Sequence, residues 1–421
     1  MRYLIIGNSA AGNAAAEAIR SCDPGGEITI ISDEAEPAYY RPLIPLLIDG
    51  ERDRESLFRD ELHTPQGVEV KLGQRATAID ARYSTVTLAS GEQMGYDKLL
   101  LATGASPARP PIMGLEGPGA YYLRRMEDAQ AIRAASRGAK RAVIIGGGRI
   151  GTKAALALRR CRLEVAIVEM LPRIVPLQLD DAAAQILEEA IRAQGIEVIL
   201  GQEVREVTRK PGPGREVSGV VLGDGRRLDT DLVVAAVGVV ANTELARGAG
   251  AYVGRGVSVD QYLSASLHDI YAAGDVAEIR DVVSGQIIVS GIWTNAVEMG
   301  RAAGENMAGG RRVYAGGFGL LNAMELAGVP VISVGIIEPP AGDGYEVHTS
   351  RRGENYRKLV FRDDVLKGAL LVGEIEGAGV LATLIREKTP LGSLKAETIK
   401  PRFGYAHYVT TQAPVLDTYV T

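Results

Sequence analysis

Short apolar runs alternate along the chain with small-residue turns and alanine-rich amphipathic stretches, and one such arrangement occurs twice. The first copy predicts, in order, a strand over Tyr3–Ile6, a turn over Gly7–Gly12, a helix over Asn13–Arg20 and a strand over Glu27–Ile31. The second copy predicts a strand over Ala142–Ile145, a turn over Gly146–Gly151, a helix over Thr152–Cys161 and a strand over Glu164–Val168. The pattern therefore indicates an internal repeat of two βαβ units.

Each copy is followed, at a similar distance, by an apolar strand that closes on glycine, at Gly104 and at Gly238. A proline-rich stretch over 105–114 is interpreted as the linker between the units, and 238–245 as the return. Beyond about Gly310 the pattern changes to strands near Val329–Ile337 and Lys358–Phe361 and a helix near Gly379–Arg386. This change predicts a separate α+β domain at the C-terminal end.

Both turns have the composition of a dinucleotide-binding turn. Such a turn needs glycine for the tight bend, a small residue where the backbone approaches a pyrophosphate, and glycine for close helix packing. The first turn, of the form G-x-S-x-x-G, contributes Gly7, Ser9, Ala10, Ala11 and Gly12. The second, the full G-x-G-x-x-G form, contributes Gly146, Gly148, Arg149, Ile150 and Gly151. Between a strand and a helix, both are predicted to bind dinucleotides.

A carboxylate follows the second strand of each unit. Asp33 and Glu169 are each predicted to accept hydrogen bonds from an adenosine ribose. Glu169 would repel a 2′-phosphate, which favours NAD(H) over NADP(H), although Arg173 nearby weakens that inference. The predicted fold is therefore α/β, with two doubly wound Rossmann-like domains and a smaller α+β domain. The expected boundaries are 1–112 with 245–315 for the first domain, 113–244 for the second and 316–421 for the third.

Composition narrows the function without naming it. Hydrophobic residues make up 46% of the chain, charged residues 24%, and the net charge of −5 gives no general attraction to nucleic acid. The two cysteines, Cys22 and Cys161, are far apart and have no metal-ligand spacing, so no metal site and a reducing, cytoplasmic compartment are expected. No apolar run is long enough to predict a membrane span.

These residues resemble the pyridine nucleotide-disulfide oxidoreductase superfamily over nearly the whole chain. The segment "ISDEAEPAYYRPLIP" looks most like the branch of rubredoxin and ferredoxin reductases, apoptosis-inducing factor and nitrite reductase flavoproteins. The resemblance implies FAD at the first unit, NAD(H) at the second with Gly238 beside it, and a C-terminal interface domain that dimerises. It further assigns to FAD Arg41, Ala76, Thr103, Gly104, Asp275 and the helix start Thr294, Asn295 and Ala296.

The chain departs from the family where thiol chemistry is concerned. Thiol-using relatives have a cysteine at about Pro42 or Leu43, and this chain has none there. The histidines His63, His268, His348 and His407 look isolated, and no His-Pro proton donor is found near the C-terminus. Lys153 replaces a glutamate that the family often has near the nicotinamide, so it is expected either to contact a cofactor or to project to solvent. The lysine common after "RP" is absent as well.

Without a redox thiol, hydride transfer from NADH to FAD and onward electron transfer to an external acceptor is the simplest mechanism. A small iron-sulfur protein, or the iron-sulfur partner of a larger redox enzyme, is the favoured acceptor. The alternatives are an NADH oxidase or reductase of oxygen, metal ions or nitrite, and a slow-turnover redox-sensing or assembly flavoprotein. The stretch from Arg124 to Arg173 contains twelve basic residues and only four acidic ones. This excess of positive charge is expected either to steer an acidic carrier or to attract the cofactor.

Overall fold

The computed structural model describes residues 1–58, 65–400 and 403–404. Its first part contains β1 (Arg2–Ile6), α1 (Ala10–Cys22), β2 (Glu27–Ile31), 3₁₀ helices over Arg41–Leu47 and Glu55–Leu57, β3 (Val68–Lys71), β4 (Ala76–Asp80), β5 (Thr85–Leu88), β6 (Gln93–Gly95), β7 (Lys98–Leu101) and β8 (Ala105–Pro107). Its middle part contains β9 (Ala120–Tyr122), α2 (Met126–Ser136), β10 (Arg141–Ile145), α3 (Arg149–Arg160), β11 (Glu164–Glu169), α4 (Asp181–Ala193), β12 (Ile196–Leu200), β13 (Val204–Arg209), β14 (Val217–Leu222), β15 (Arg227–Asp229), β16 (Leu232–Ala235), β17 (Val239–Ala241) and α5 (Glu244–Gly248). The last part contains β18 (Ile270–Ala272), β19 (Glu278–Arg280), β20 (Ile287–Val289), α6 (Trp293–Met307), β21 (Leu321–Leu326), β22 (Val329–Gly335), β23 (Tyr345–Arg352), β24 (Asn355–Arg362), β25 (Val365–Val372), α7 (Ala378–Glu387), a 3₁₀ helix over Gly392–Leu394 and α8 (Lys395–Thr398).

Two parallel five-stranded sheets form the cores of the two repeated units. The first has the order β18-β7-β1-β2-β3 and the second the order β12-β11-β10-β16-β9. Their central strands are buried on both faces, as parallel sheets covered by helices require. Because β18 comes from beyond the second unit, the first unit is discontinuous in sequence. The α/β fold with two doubly wound, Rossmann-like units is confirmed.

Each unit also carries a three-stranded antiparallel sheet, β4-β5-β6 in the first and β13-β14-β15 in the second. The two helices that follow the glycine turns begin three residues earlier than the sequence predicts, α1 at Ala10 and α3 at Arg149. The first helical hydrogen bonds explain the difference, since Asn13 N donates to Ser9 O and Thr152 N to Gly148 O. The backbone is therefore helical before the apolar periodicity begins.

The two connections between the units run together. β8 pairs antiparallel with β17, so the predicted linker and return form one two-stranded ribbon. The Asn242 amide joins them, because its Nδ2 donates to Thr103 O at 2.8 Å and its backbone N donates to Gly104 O at 2.9 Å. The ribbon ties the end of the first unit to the end of the second.

The C-terminal domain is an antiparallel sheet of order β21-β22-β25-β24-β23, with α7 packed against β25. Both predicted strands and the predicted helix are present, although β22 ends at Gly335 and α7 runs over Ala378–Glu387. In the first unit, α1 and α6 cross closely, since a Cβ on Gly300 would lie 2.2 Å from Ala11 O. This crossing brings the start of α6 to the first glycine turn.

Candidate cofactor sites

The first glycine turn has the tight geometry that its sequence predicts. Gly7 has a φ of +125°, and a Cβ there would lie 2.1 Å from Ala102 O. A Cβ on Gly12 would lie 1.9 Å from Gly7 O, so α1 packs directly on the turn. Ser9 provides no side-chain cap, and the first turn of α1 has no acidic residue. The amides at this helix start therefore remain available for an anion.

Arg41 lies beside this turn. Its Nε donates to Ser9 Oγ at 3.2 Å, its Nη1 donates to Tyr39 Oη at 3.0 Å, and its Nη2 pairs with Glu34. Burial raises the pKa of the Tyr39 hydroxyl, which itself donates to Glu34. Arg41 therefore lies at the first glycine turn, and its contact with the FAD phosphates or ring stays a prediction, whereas its partners Glu34 and Tyr39 were missed. Their only signal was their place in the segment "DEAEPAYYRP".

Both carboxylates predicted for the first site face arginines from the second unit. Asp33 accepts from Arg125 Nη2 at 2.6 Å, and Asp275 accepts from Arg124 Nη2 at 2.9 Å. Arg124 also donates to Ala105 O, in the ribbon. No local pattern predicts these two arginines at the first site, because each pairs with a carboxylate far away along the chain.

The remaining residues predicted for FAD converge on the same end of the sheet. Thr103 and Gly104 follow β7 and are held by Asn242. Gly274, just before Asp275, would place a Cβ 3.1 Å from Ala11 Cβ and 3.6 Å from Ala296 Cβ. The turn, the loop at Asp275 and the start of α6 therefore meet.

Two other residues predicted to contact FAD, Ala76 and Asn295, are buried. Ala76 is buried at the start of β4. The Asn295 side chain is fully buried and donates to Ser290 Oγ and Phe318 O, so it faces the protein, whereas Thr294 is exposed at a helix start without a side-chain cap. This arrangement fits the backbone role that the family resemblance implies.

The second glycine turn repeats the geometry of the first, except that the space beside its middle glycine, Gly148, is empty. Gly146 has a φ of +101°, and a Cβ on Gly151 would lie 2.0 Å from Gly146 O. A Cβ on Gly148, in contrast, would meet no atom within 4 Å. Gly148 caps α3 without a side chain, and the first turn of α3 has no acidic residue. The turn is therefore closed toward the protein and open where a pyrophosphate would approach, which fits a dinucleotide.

Glu169 ends β11 and is 6% exposed. Its Oε2 accepts from Gly147 N at 2.6 Å and its Oε1 from Leu171 N at 2.9 Å, which anchors the carboxylate at the turn. In the first unit, Asp33 does not occupy the position that Glu169 occupies in the second unit. Gly7 N bonds to Ile31 O and Gly146 N to Val168 O, so the counterpart of Glu169 is Ser32.

The other polar residues near the second turn are held by the protein itself. Arg173 pairs with Asp181 at 2.7 Å and with Glu338, so its charge is already balanced. The Arg149 side chain donates to Asn322 of β21. Only the backbone of Arg149 therefore belongs to the turn. Ile150 is 39% exposed at the turn, and Gly238 has a φ of +104° after β16.

Lys153 is half-buried one helical turn beyond Arg149. Its pKa lies below the usual lysine value, because burial and the nearby Arg149 outweigh the carboxylates of Glu325 and Glu51. The side chain is thus partly buried near charged groups. Its contact with a cofactor stays a prediction.

Neither cysteine lies at a glycine turn. Cys22 ends α1 and is exposed, and Cys161 follows α3 with its Sγ 3.6 Å from Ile48 O. His268 and His348 lie beside Asp269 and Glu346. His63 and His407 lie outside the described residues. Within 1–58, 65–400 and 403–404, no cluster of three His, Cys, Asp or Glu side chains is placed to hold a metal.

Part of the basic stretch from Arg124 to Arg173 is paired with carboxylates that lie outside it. Five of its arginines form such ion pairs: Arg124 with Asp275, Arg125 with Asp33, Arg141 with Asp229, Arg160 with Asp49 and Glu51, and Arg173 with Asp181 and Glu338. The excess of positive charge counted along the sequence is therefore not one free basic surface. No helix in the described part of the chain is long and apolar enough to cross a membrane.

Comparison with known proteins places this geometry in a family. The profile of the pyridine nucleotide-disulphide oxidoreductases matches residues 1–300, and that of the rubredoxin NAD+ reductase C-terminal domain matches residues 321–389. The epsilon subunit of the NADH-dependent phenylglyoxylate dehydrogenase of Aromatoleum evansii is 32% identical over 416 residues, covering 98% of this chain and 97% of that protein. Rubredoxin-NAD(+) reductase of Pseudomonas putida is 30% identical over 312 residues, covering 73% of this chain and 80% of that protein.

Among solved structures, a NAD-dependent persulfide reductase from A. fulgidus matches with a TM-score of 0.86 and 30% identity, covering 94% of this chain and 78% of that one. The two glycine turns, their uncapped helix starts and the anchored Glu169 agree with these matches. The chain therefore belongs to the pyridine nucleotide-disulphide oxidoreductase family and is an FAD-dependent NADH oxidoreductase.

Proposed function

We propose that this chain passes electrons from NADH through FAD to a small iron-sulfur protein, or to the iron-sulfur partner of a larger redox enzyme. The position of the thiols carries this proposal. Cys22 and Cys161 each follow the last glycine of a turn by ten residues of mostly helical chain, which is roughly 15 Å at 1.5 Å per residue. With no cysteine near the turns, electrons leave the first site without a thiol relay.

The chemistry that FAD supplies, when bound, is acceptance of a hydride from NADH and release of electrons singly or in pairs. In the proposed first site, Gly7, Ser9, Ala10, Ala11 and Gly12 present backbone amides to the FAD pyrophosphate. Arg41 adds positive charge beside them. Asp33 and Asp275 accept from FAD hydroxyl groups, Ala76, Thr103 and Gly104 contact FAD through the backbone, and Thr294, Asn295 and Ala296 present a helix start.

In the proposed second site, the backbone of Gly146, Gly148, Arg149, Ile150 and Gly151 holds the pyrophosphate of NADH, Glu169 accepts from the ribose, and Gly238 lies beside the ligand. The names of the relatives support the acceptor class. One is a rubredoxin reductase, and another is a subunit of a larger NADH-dependent dehydrogenase. The ion pairs of five arginines in the basic stretch favour cofactor and packing roles for these residues over long-range steering of a carrier.

The acceptor is tested by anaerobic NADH oxidation with the purified holoprotein. Rubredoxin, ferredoxin, a quinone, ferric citrate and nitrite are supplied in turn, and oxygen is supplied in a parallel aerobic series. We expect the highest kcat/KM with an iron-sulfur protein. A higher value with oxygen, ferric citrate or nitrite would favour a small-acceptor reductase. Negligible turnover with all of them, combined with a change in oligomeric state on adding NADH, would favour the redox-sensing alternative.

The coenzyme preference follows from Glu169. A 2′-phosphate would meet a buried carboxylate, and Arg173 is already paired with two acidic residues. We therefore expect kcat/KM for NADH to exceed that for NADPH by at least about tenfold. Steady-state rates with both coenzymes measure the ratio, and faster oxidation of NADPH would contradict the role of Glu169.

The proposed domains are 1–112 with 245–315 for FAD, 113–244 for NAD and 316–421 for the interface. We also propose a homodimer formed through the C-terminal domain, with Tyr405 and Tyr408 in the tail outside the described residues. The two separated cysteines fit a reducing, cytoplasmic location. Sedimentation as a monomer at micromolar concentration would contradict the dimer.

A further inference from the structure

A buried polar cluster joins the C-terminal domain to the second dinucleotide unit. Asp180, which is 7% exposed, caps α4 by accepting from Ala183 N at 3.0 Å. Its other oxygen accepts from Tyr356 Oη at 2.7 Å and from Lys358 Nζ at 2.9 Å, both on β24. A carboxylate so deeply buried needs partners of this kind, since burial without them is costly. The ammonium of Lys358 supplies the opposite charge.

Asp180 ends a segment that lies against the second glycine turn. The segment starts after Glu169, and its Val175 N donates to Gly147 O at 2.9 Å. Val175 is fully buried and has a φ of +48°, a left-handed conformation that β-branched residues rarely adopt. Such a conformation persists only where the surrounding structure holds it. The hydrogen bonds from Tyr356 and Lys358 to Asp180 are among the contacts that hold this segment.

Two further links join the same two bodies. Arg149, inside the turn itself, donates to the buried Asn322 of β21, and Arg173 pairs with Glu338 after β22. On the second unit, these links start from Arg149 in the turn and from Arg173 and Asp180 in the segment 170–180, which covers the turn. The C-terminal sheet is thus attached to the second unit where NADH is proposed to bind.

We propose that Tyr356 and Lys358 are positioning residues for NADH. By holding Asp180, they keep the segment 170–180, and through Val175 the turn at Gly147, in the shape that receives the dinucleotide. The inference rests on the proposed binding of NADH at this turn. It gives the C-terminal domain a part in coenzyme binding in addition to any role in assembly.

The test compares the variants Lys358→Met and Tyr356→Phe with the unmodified holoprotein. We expect KM for NADH and the dissociation constant of NAD+ to rise about tenfold in Lys358→Met, and less in Tyr356→Phe, because a charged hydrogen bond is worth more than a neutral one. The kcat at saturating NADH and the FAD content should stay within about twofold. Tyr356→Phe removes a single hydroxyl and serves if Lys358→Met fails to fold.

Lys395→Met is the matched control. Its ammonium is about as enclosed as that of Lys358, with side chains 14% and 12% exposed, but it contacts Glu346 and Asp363 O within the C-terminal domain. It should leave KM unchanged. Unchanged KM in both test variants, or a loss of FAD or kcat without a change in KM, would overturn the inference. If the unmodified protein binds no NADH, the proposed function fails instead.

Discussion

Replacing Gly148 with valine should raise the KM for NADH roughly 100-fold, equivalent to two factors of ten at ~1.4 kcal/mol each, while FAD content stays unchanged. A Cβ at this position meets no protein atom within 4 Å, so the fold accepts it. The same open space is where the pyrophosphate is proposed to approach the amides at the start of α3. A side chain there keeps the phosphate from the backbone. Steady-state kinetics with NADH and the flavin-to-protein absorbance ratio measure both effects.

Gly138→Val is a matched control for this variant. Gly138 is exposed after α2, and a Cβ there also meets nothing within 4 Å. The control should have the KM of the unmodified protein. A Gly148→Val protein with unaltered KM would show that the dinucleotide does not approach at this glycine.

Replacing Gly12 with alanine should abolish stable FAD binding. The added Cβ would lie 1.9 Å from Gly7 O, and this backbone atom belongs to a turn that is itself pressed against Ala102 O. The turn and α1 must separate to relieve the clash, at a cost of about 1–3 kcal/mol or more. Both the amides proposed to face the FAD pyrophosphate and the packing of α1 on β1 change as a result. We expect protein that purifies with less than about a tenth of the normal flavin and a lower Tm.

The comparison for Gly12 is Gly379→Ala, another glycine inside a helix. A Cβ on Gly379 meets nothing within 4 Å, so alanine should stabilise α7 by up to about 1 kcal/mol through its higher helix propensity. Its flavin content should be normal. Normal flavin content in Gly12→Ala would contradict the tight turn described for the first site.

Local chemistry made several residues predictable. The first and last glycines of the two turns, Gly7, Gly12, Gly146 and Gly151, were predictable because only glycine fits backbone atoms that approach so closely. Glu169 was visible because a carboxylate after the second strand of such a unit has few other roles. The starts of α1 and α3 were misplaced by three residues, since the apolar period begins later than the helical hydrogen bonds.

Contacts between distant segments were beyond local reasoning. Arg125 reaches Asp33 across 92 residues of sequence, and Arg124 reaches Asp275 across 151. The basic stretch illustrates the same limit, because five of its arginines pair with carboxylates from other parts of the chain. No periodicity or motif specifies such partners.

The sequence by itself determined that this protein has two dinucleotide-binding units, because a βαβ turn depends on neighbouring residues and on the sterics of glycine. It also determined that no cysteine lies beside the first turn. Only the tertiary structure decided which arginines face the carboxylates of Asp33 and Asp275 and that Lys153 is partly buried. Only the tertiary structure, likewise, showed that Tyr356 and Lys358 of the C-terminal sheet donate hydrogen bonds to Asp180. Those relations depend on how whole sheets and helices pack, and packing brings together residues that the order of the chain keeps apart.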